Sequence, residues 1–158
     1  MNTARLAGLW GEAVEETGRE LLGGVLEVVP LEGTPVADWC AVAGFSGAFQ
    51  GHCRLAGSVR SGRRLAMYLS KRQPVEVARP YPEILMALMQ HLAGDFCRVS
   101  QPVLGKVEWT GTTVIRGNDQ RVTVAPGYDA GRLGLKWEGY DWMLEWCFHA
   151  EKGGSPGA

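Results

Sequence analysis

Neither sign of charge dominates this chain. Sixteen lysines and arginines stand against 17 aspartates and glutamates, a formal net charge of -1, so there is no electrostatic reason to expect nucleic acid or an anionic membrane as the main partner. Long apolar runs are also missing: no stretch approaches the roughly 18 residues of a membrane span, and no charged segment followed by an apolar core opens the sequence as an export signal would. The expectation is a cytoplasmic protein. Cysteine is sparse and unpaired in spacing, because Cys40, Cys53, Cys97 and Cys147 are widely scattered. That excludes a disulfide framework and a zinc knuckle and predicts buried, reduced thiols. The three histidines, His52, His91 and His149, are equally dispersed, and His52 and Cys53 would face opposite sides of a strand. No metal site is expected.

Glycine, by contrast, is abundant: 22 of 158 residues, twice the usual share of about 7%. Many tight turns follow, and with them several short strands. The length suits one domain with a real core, and residues 1–150 are read as that domain. The tail 151–158, EKGGSPGA, is too polar and glycine-rich to pack and is expected to fray.

The first 22 residues predict a helix. Leu6, Leu9, Trp10, Ala13, Val14, Thr17 and Leu21 recur at spacings of three and four, while Glu12, Glu15, Glu16 and Arg19 fill the positions between, and Gly23-Gly24 stops the run. VLEVVPLEGTP reads as a short extended piece, and residues 39–59 as a hairpin around a glycine-containing turn. Ser61 is the expected cap of a second helix, RRLAMYLSK. The three prolines of KRQPVEVARPYP predict a loop. Pro82 then suits the first turn of a long helix over 82–99, ended by Ser100-Gln101-Pro102. In the last third, VLGKVEWTGTTVIRG, QRVTVAP, GRLGLKWEG and DWMLEWCFHA read as strands separated by turn formers. Helices first and in the middle, then a run of antiparallel-type strands, indicate an α+β fold: a sheet packed against long helices.

Motifs for common chemistries are weak. GFSGAFQG at 44–51 lacks the lysine-serine or lysine-threonine pair of a phosphate loop and reads as a hairpin turn. Ser46 and Ser61 have no histidine and acid partners that the sequence can assemble into a triad. The tryptophans at 109, 137, 142 and 146 read as core or interface, since no basic residues interleave them as in a base-stacking platform. The basic cluster Arg60, Arg63, Arg64, Lys71 and Arg72 reads as a solvated face and loop. On the long helix, about 100° per residue puts Glu83, Ala87, Gln90 and Gly94 in one narrow stripe, away from Ile84, Leu85, Leu88, Leu92 and Phe96. By itself Gln90 reads as a solvated helix residue.

Taken in order, several of these stretches resemble the CheX and CheC chemotaxis phosphatases. The resemblance covers roughly residues 4–150 and rests on the hairpin GFSGAFQG, the strand and short helix HCRLAGSVRSGRRLAMYLS, the helix ALMQHLAGDF with its "AG" step, and QPVLGKVEWTGTTVIRG after it. It implies a CheC-like fold, a phosphorylated response-regulator receiver domain as partner, and often pairing of subunits through the sheet. The signature of that family is a glutamate followed three residues later by an asparagine, just before the "AG" step. Here the glutamate position is Ala87 and the asparagine position is Gln90. In the family the amide orients water for attack on the receiver's aspartyl phosphate, and the carboxylate contacts the receiver's lysine. Gln90 keeps an amide one methylene longer; Ala87 cannot make the ionic contact. Glu83, one turn earlier, is the remaining carboxylate, although a first-turn acid is also what the helix dipole favours. No cofactor is implied in this chain, the Mg2+ being the receiver's. The resemblance thus leaves two readings: a receiver-binding domain with weak aspartyl-phosphate phosphatase activity, or a non-catalytic, homodimeric adaptor in two-component signalling.

Overall fold

A computed structural model describes residues 3–24, 26–31, 37–72, 81–116 and 127–150. Helix α1 spans Thr3–Leu21 and buries Leu6, Leu9, Trp10, Ala13, Val14 and Thr17, the face that the apolar spacing predicts. The short strand β1, Glu27–Val29, follows. The predicted hairpin forms from β2, Trp39–Gly47, and β3, Phe49–Gly57. Then come helix α2, Val59–Arg72, helix α3, Tyr81–Leu104, and strands β4, Val107–Arg116, β5, Asp129–Trp137, and β6, Tyr140–Ala150. Among the described residues six strands make one sheet in the order β1-β5-β6-β3-β2-β4, with antiparallel pairing throughout. The fold is α+β, as expected.

The β5–β6 connection shows why the turn formers matter. Trp137 pairs with Tyr140, and the two residues between them, Glu138 and Gly139, have φ of 49° and 82°. A two-residue turn with both φ values positive matches the right-handed twist of the strands it joins.

Alternation along the strands divides the sheet into two faces. Ala41, Ala43, Phe45, Cys53, Leu55, Trp142, Leu144, Trp146 and Phe148 belong to the main core with α1 and α3. Trp10 of α1 stacks on Phe96 of α3 with ring centroids 3.8 Å apart, and Phe45 meets both edge-on. The opposite face carries Cys40, Ala56 and Met143, all buried, and the cross-strand neighbours Arg54 and Glu145. Arg54 Nη2 donates to Glu145 Oε1 at 2.5 Å.

Two helix boundaries differ from expectation. α2 begins at Val59 and is capped by Ser58 rather than Ser61. The Ser61 N–H donates to Ser58 Oγ at 3.1 Å, and the Val59 N–H donates to Asp38 Oδ2 at 2.7 Å. Two acceptors at the earlier position satisfy two of the orphan first-turn donors, which makes it the better start. The Ser61 hydroxyl instead donates to the Asp141 carbonyl at 3.3 Å. α3 in turn runs through Ser100-Gln101-Pro102 to Leu104. In the final turn Pro102 forfeits a single intrahelical donor, and Gly105, at φ 98°, closes the helix with its N–H on the Gln101 carbonyl at 3.0 Å. β4 therefore starts at Val107 rather than 103.

The ends of the expected proline-rich loop are helical: Lys71 and Arg72 close α2, and Tyr81 and Pro82 open α3. Its residues 73–80, the expected strand at 120–126 and the tail 151–158 lie outside the described residues.

Candidate functional site: the outer stripe of the long helix

Over its 24 residues, α3 needs one apolar face for the sheet and another edge for α1. It buries Ile84, Leu85, Leu88, Met89, Leu92, Ala93 and Phe96. What remains outward is the predicted stripe. Glu83, Gln90 and Gly94 are exposed and Ala87 is half-buried. Gly94 has open space where a side chain would be. Gln90 is therefore a carboxamide standing between two small residues, one turn to either side. At 1.5 Å rise per residue Ala87 lies about 4.5 Å from it along the axis and Glu83 about 10 Å. The structure puts Glu83 and Gln90 on one surface without bringing them together.

On its α1 side the stripe is bordered by an ion-pair network that sequence reading missed. His91 Nε2 lies 2.7 Å from Glu20 Oε2 and 3.5 Å from Asp95 Oδ2. Asp95 also accepts from Thr17 Oγ1 at 2.7 Å. Arg98 donates to Asp95 Oδ1 at 2.6 Å and pairs with Glu16. Glu16 first and Asp95 second stabilise the Arg98 guanidinium in its protonated form. The signal was present in the i, i+4 spacing of His91 and Asp95 and in the acids of α1. It needed the pairing of α1 with α3 to become a cluster.

Arg64 pairs with Glu138 at 2.5 Å and lies over Trp137, and Arg60 lies over Tyr140. These two cations of the basic cluster thus hold α2 to the β5–β6 turn. Trp137, Trp142 and Trp146 are core residues. Trp109 is exposed on β4, where its Nε1 donates to Thr112 Oγ1 at 3.0 Å. All four cysteines are free. Burial pushes the Cys40 thiol up to about 12, with Arg54 opposing, and pushes Cys97 up to about 11. No described helix is long and apolar enough to cross a membrane.

No protein-family model and no curated protein matches the chain. Solved structures do. The chemotaxis protein CheX from Vibrio vulnificus superposes with a TM-score of 0.74 at 9% identity, over 92% of this chain and 99% of that one. CheX from Borrelia burgdorferi, solved as a CheX-CheY-BeF3-Mg complex, gives 0.69 at 13% identity over 91% and 97%. This chain has the CheC-like fold. The fold is not confined to CheX proteins, since the FliM middle domain from H. pylori also matches, at a TM-score of 0.61 and 11% identity over 92% and 88%. The outer stripe of α3 is where the sequence resemblance would put that family's signature pair, and Gln90 is the exposed amide of the stripe.

Proposed function

We propose that this chain docks a phosphorylated response-regulator receiver domain through the outer stripe of α3, and that Gln90 is presented to the receiver's aspartyl phosphate. The observation that carries this reading is the placement of Gln90: an exposed amide on the long helix of a CheC-like fold, with half-buried Ala87 and bare Gly94 beside it. No bulky neighbour in the stripe holds a partner's surface away. That a CheX of the same fold is found in complex with CheY supports a receiver as the class of partner.

The chemistry asked of this chain is small. Phosphoryl transfer is governed by positioning and charge stabilisation. The receiver brings the phosphorylated aspartate, the Mg2+ and the lysine, so no cofactor is required here. A carboxamide can accept from and donate to the attacking water; in-line attack forms the new P–O bond, breaks the bond to the aspartyl oxygen and releases phosphate. Ala87 supplies no carboxylate for the receiver's lysine, and turnover is accordingly slow. Glu83, exposed in the first turn of α3, is the acid left on the stripe for that contact. The test is acyl-phosphate loss from the cognate phosphorylated receiver. A slow acceleration that declines in Gln90→Ala is expected, and a rate indifferent to Gln90→Ala would remove the water-positioning role.

One observation favours a second reading, a homodimeric adaptor. Among the described residues β4 is an edge strand, and over Glu108–Gly111 it is exposed on both faces. An open edge of this kind pairs readily with another strand. Here light scattering at high concentration would return a dimer, and a partner would be captured regardless of receiver phosphorylation.

A further inference from the structure

We infer that Glu20, His91 and Asp95 form a site for one divalent first-row transition-metal ion, zinc first among them, clasping α1 to α3. Among the described residues, one oxygen from each carboxylate and one nitrogen of the imidazole all lie within 4.8 Å of one another. His91 Nε2 is 2.7 Å from Glu20 Oε2 and 3.5 Å from Asp95 Oδ2. Zinc bonds of 2.0–2.2 Å to nitrogen and oxygen put neighbouring tetrahedral ligands about 3.4 Å apart, so only small side-chain shifts are needed. His91 and Asp95 are at i, i+4, hence on one face of α3, and Glu20 reaches across from the last turn of α1.

The carboxylates are already divided for this use. Each turns its other oxygen to Arg98: Asp95 Oδ1 at 2.6 Å and Glu20 Oε1 at 3.6 Å. Thr17 donates to Asp95 from α1. Asp95 is 6% exposed, which fixes its rotamer, while Glu20 and His91 open to solvent and leave a fourth position for water. Partners that orient ligands in this way are the usual support of a metal site. Charge agrees with the ion. Glu16, Glu20 and Asp95 contribute -3 and Arg98 and Arg19 together +2, a local sum of -1 with neutral imidazole. A mixed imidazole and carboxylate set suits Zn2+ and its neighbours, whereas Mg2+ prefers oxygen alone. When the ion binds, any proton on Nε2 is released to solvent. The site adjoins the outer stripe, since Gln90 precedes His91 and Gly94 precedes Asp95, yet it does not depend on what the stripe binds.

The experiment is titration of chelator-treated protein with Zn2+ alone, followed by calorimetry and by thermal unfolding, in a buffer that does not coordinate metals. One equivalent should bind and raise the unfolding temperature. Affinity should fall at least about tenfold in both His91→Ala and Glu20→Gln and stay unchanged in Cys97→Ser, and Mg2+ should not compete. Glu20 is exposed, so Glu20→Gln keeps the test sound if His91→Ala fails to fold by circular dichroism. Absence of zinc binding at about 100 times the protein's micromolar working range, or zinc held as tightly by both ligand variants as by the parent, would overturn the site. So would loss of binding in Cys97→Ser.

Discussion

Trp10 of α1 lies flat against Phe96 of α3, with ring centroids 3.8 Å apart and planes 10° from parallel. The pair is fully buried, and Phe45 and Phe148 close around it. This is where the two helices are bound to each other and to the sheet at once. Truncation here removes transfer energy and leaves a cavity that close-packed neighbours cannot fill.

Phe96→Ala should therefore cost about 3–5 kcal/mol of folding stability. Chemical denaturation would read this as a lower midpoint at an unchanged slope. Phe96 is on the buried face of α3, about 120° around the helix from exposed Gln90, so a folded population should keep the outer stripe.

Arg54 and Glu145 form a different kind of contact. They are cross-strand neighbours with 7% and 13% side-chain exposure, and among the described residues Arg54 Nε and Nη1 are buried without partners. A buried pair with unsatisfied donors contributes little net stability, but half of one is worse. Glu145→Ala is expected to destabilise by about 3–5 kcal/mol, whereas the double variant Arg54→Met, Glu145→Leu should be near neutral or more stable. Equilibrium unfolding of the single and double variants makes the comparison.

The thiols should appear in the alkaline limb of stability. Burial raises Cys40 from 9.0 to about 12, so above pH 9 the unfolded chain gives up a proton that the folded chain retains. The contribution is complete below pH 9 and is lost on the way to 12, at roughly 1.4 kcal/mol per pH unit for this thiol. Cys40→Ala should flatten that limb in pH-dependent denaturation. A disulfide reagent at neutral pH should label half-buried Cys97 before buried Cys40, Cys53 and Cys147.

Local features were legible and distant pairings were not. Spacing along 3–21 dictated α1 and its buried face, and the glycines of 44–51 dictated the β2–β3 hairpin, because both are settled by neighbours a few residues away. α3 overran its expected end because a proline in a last turn costs one bond while Gly105, three residues on, offers the better stop. Ser58 displaced Ser61 as a cap because Asp38, 21 residues away from Val59, adds a second acceptor. The stripe holding Glu83, Ala87, Gln90 and Gly94 followed from helical periodicity alone. The cluster of Glu20 and Asp95 around His91 did not, since Glu20 is separated from His91 by 71 positions and only the packing of α1 on α3 brings them together.

The stripe also permits the sharpest test of what this chain still does. Ala87 is half-buried on an exposed helix face, so a glutamate there should fold at a cost below about 0.5 kcal/mol and project beside Gln90 at i, i+3. If the surface meets a receiver as proposed, Ala87→Glu restores an acid for the receiver's lysine, and dephosphorylation should rise roughly tenfold, about 1.4 kcal/mol of barrier. The same change in a Gln90→Ala background should give little, because an acid that fixes the docked pose cannot orient the water. Single-turnover decay of phosphorylated receiver with the four proteins measures the coupling directly. Equal gains with and without Gln90 would mean that the acid acts through docking alone and that the amide contributes nothing to the chemistry.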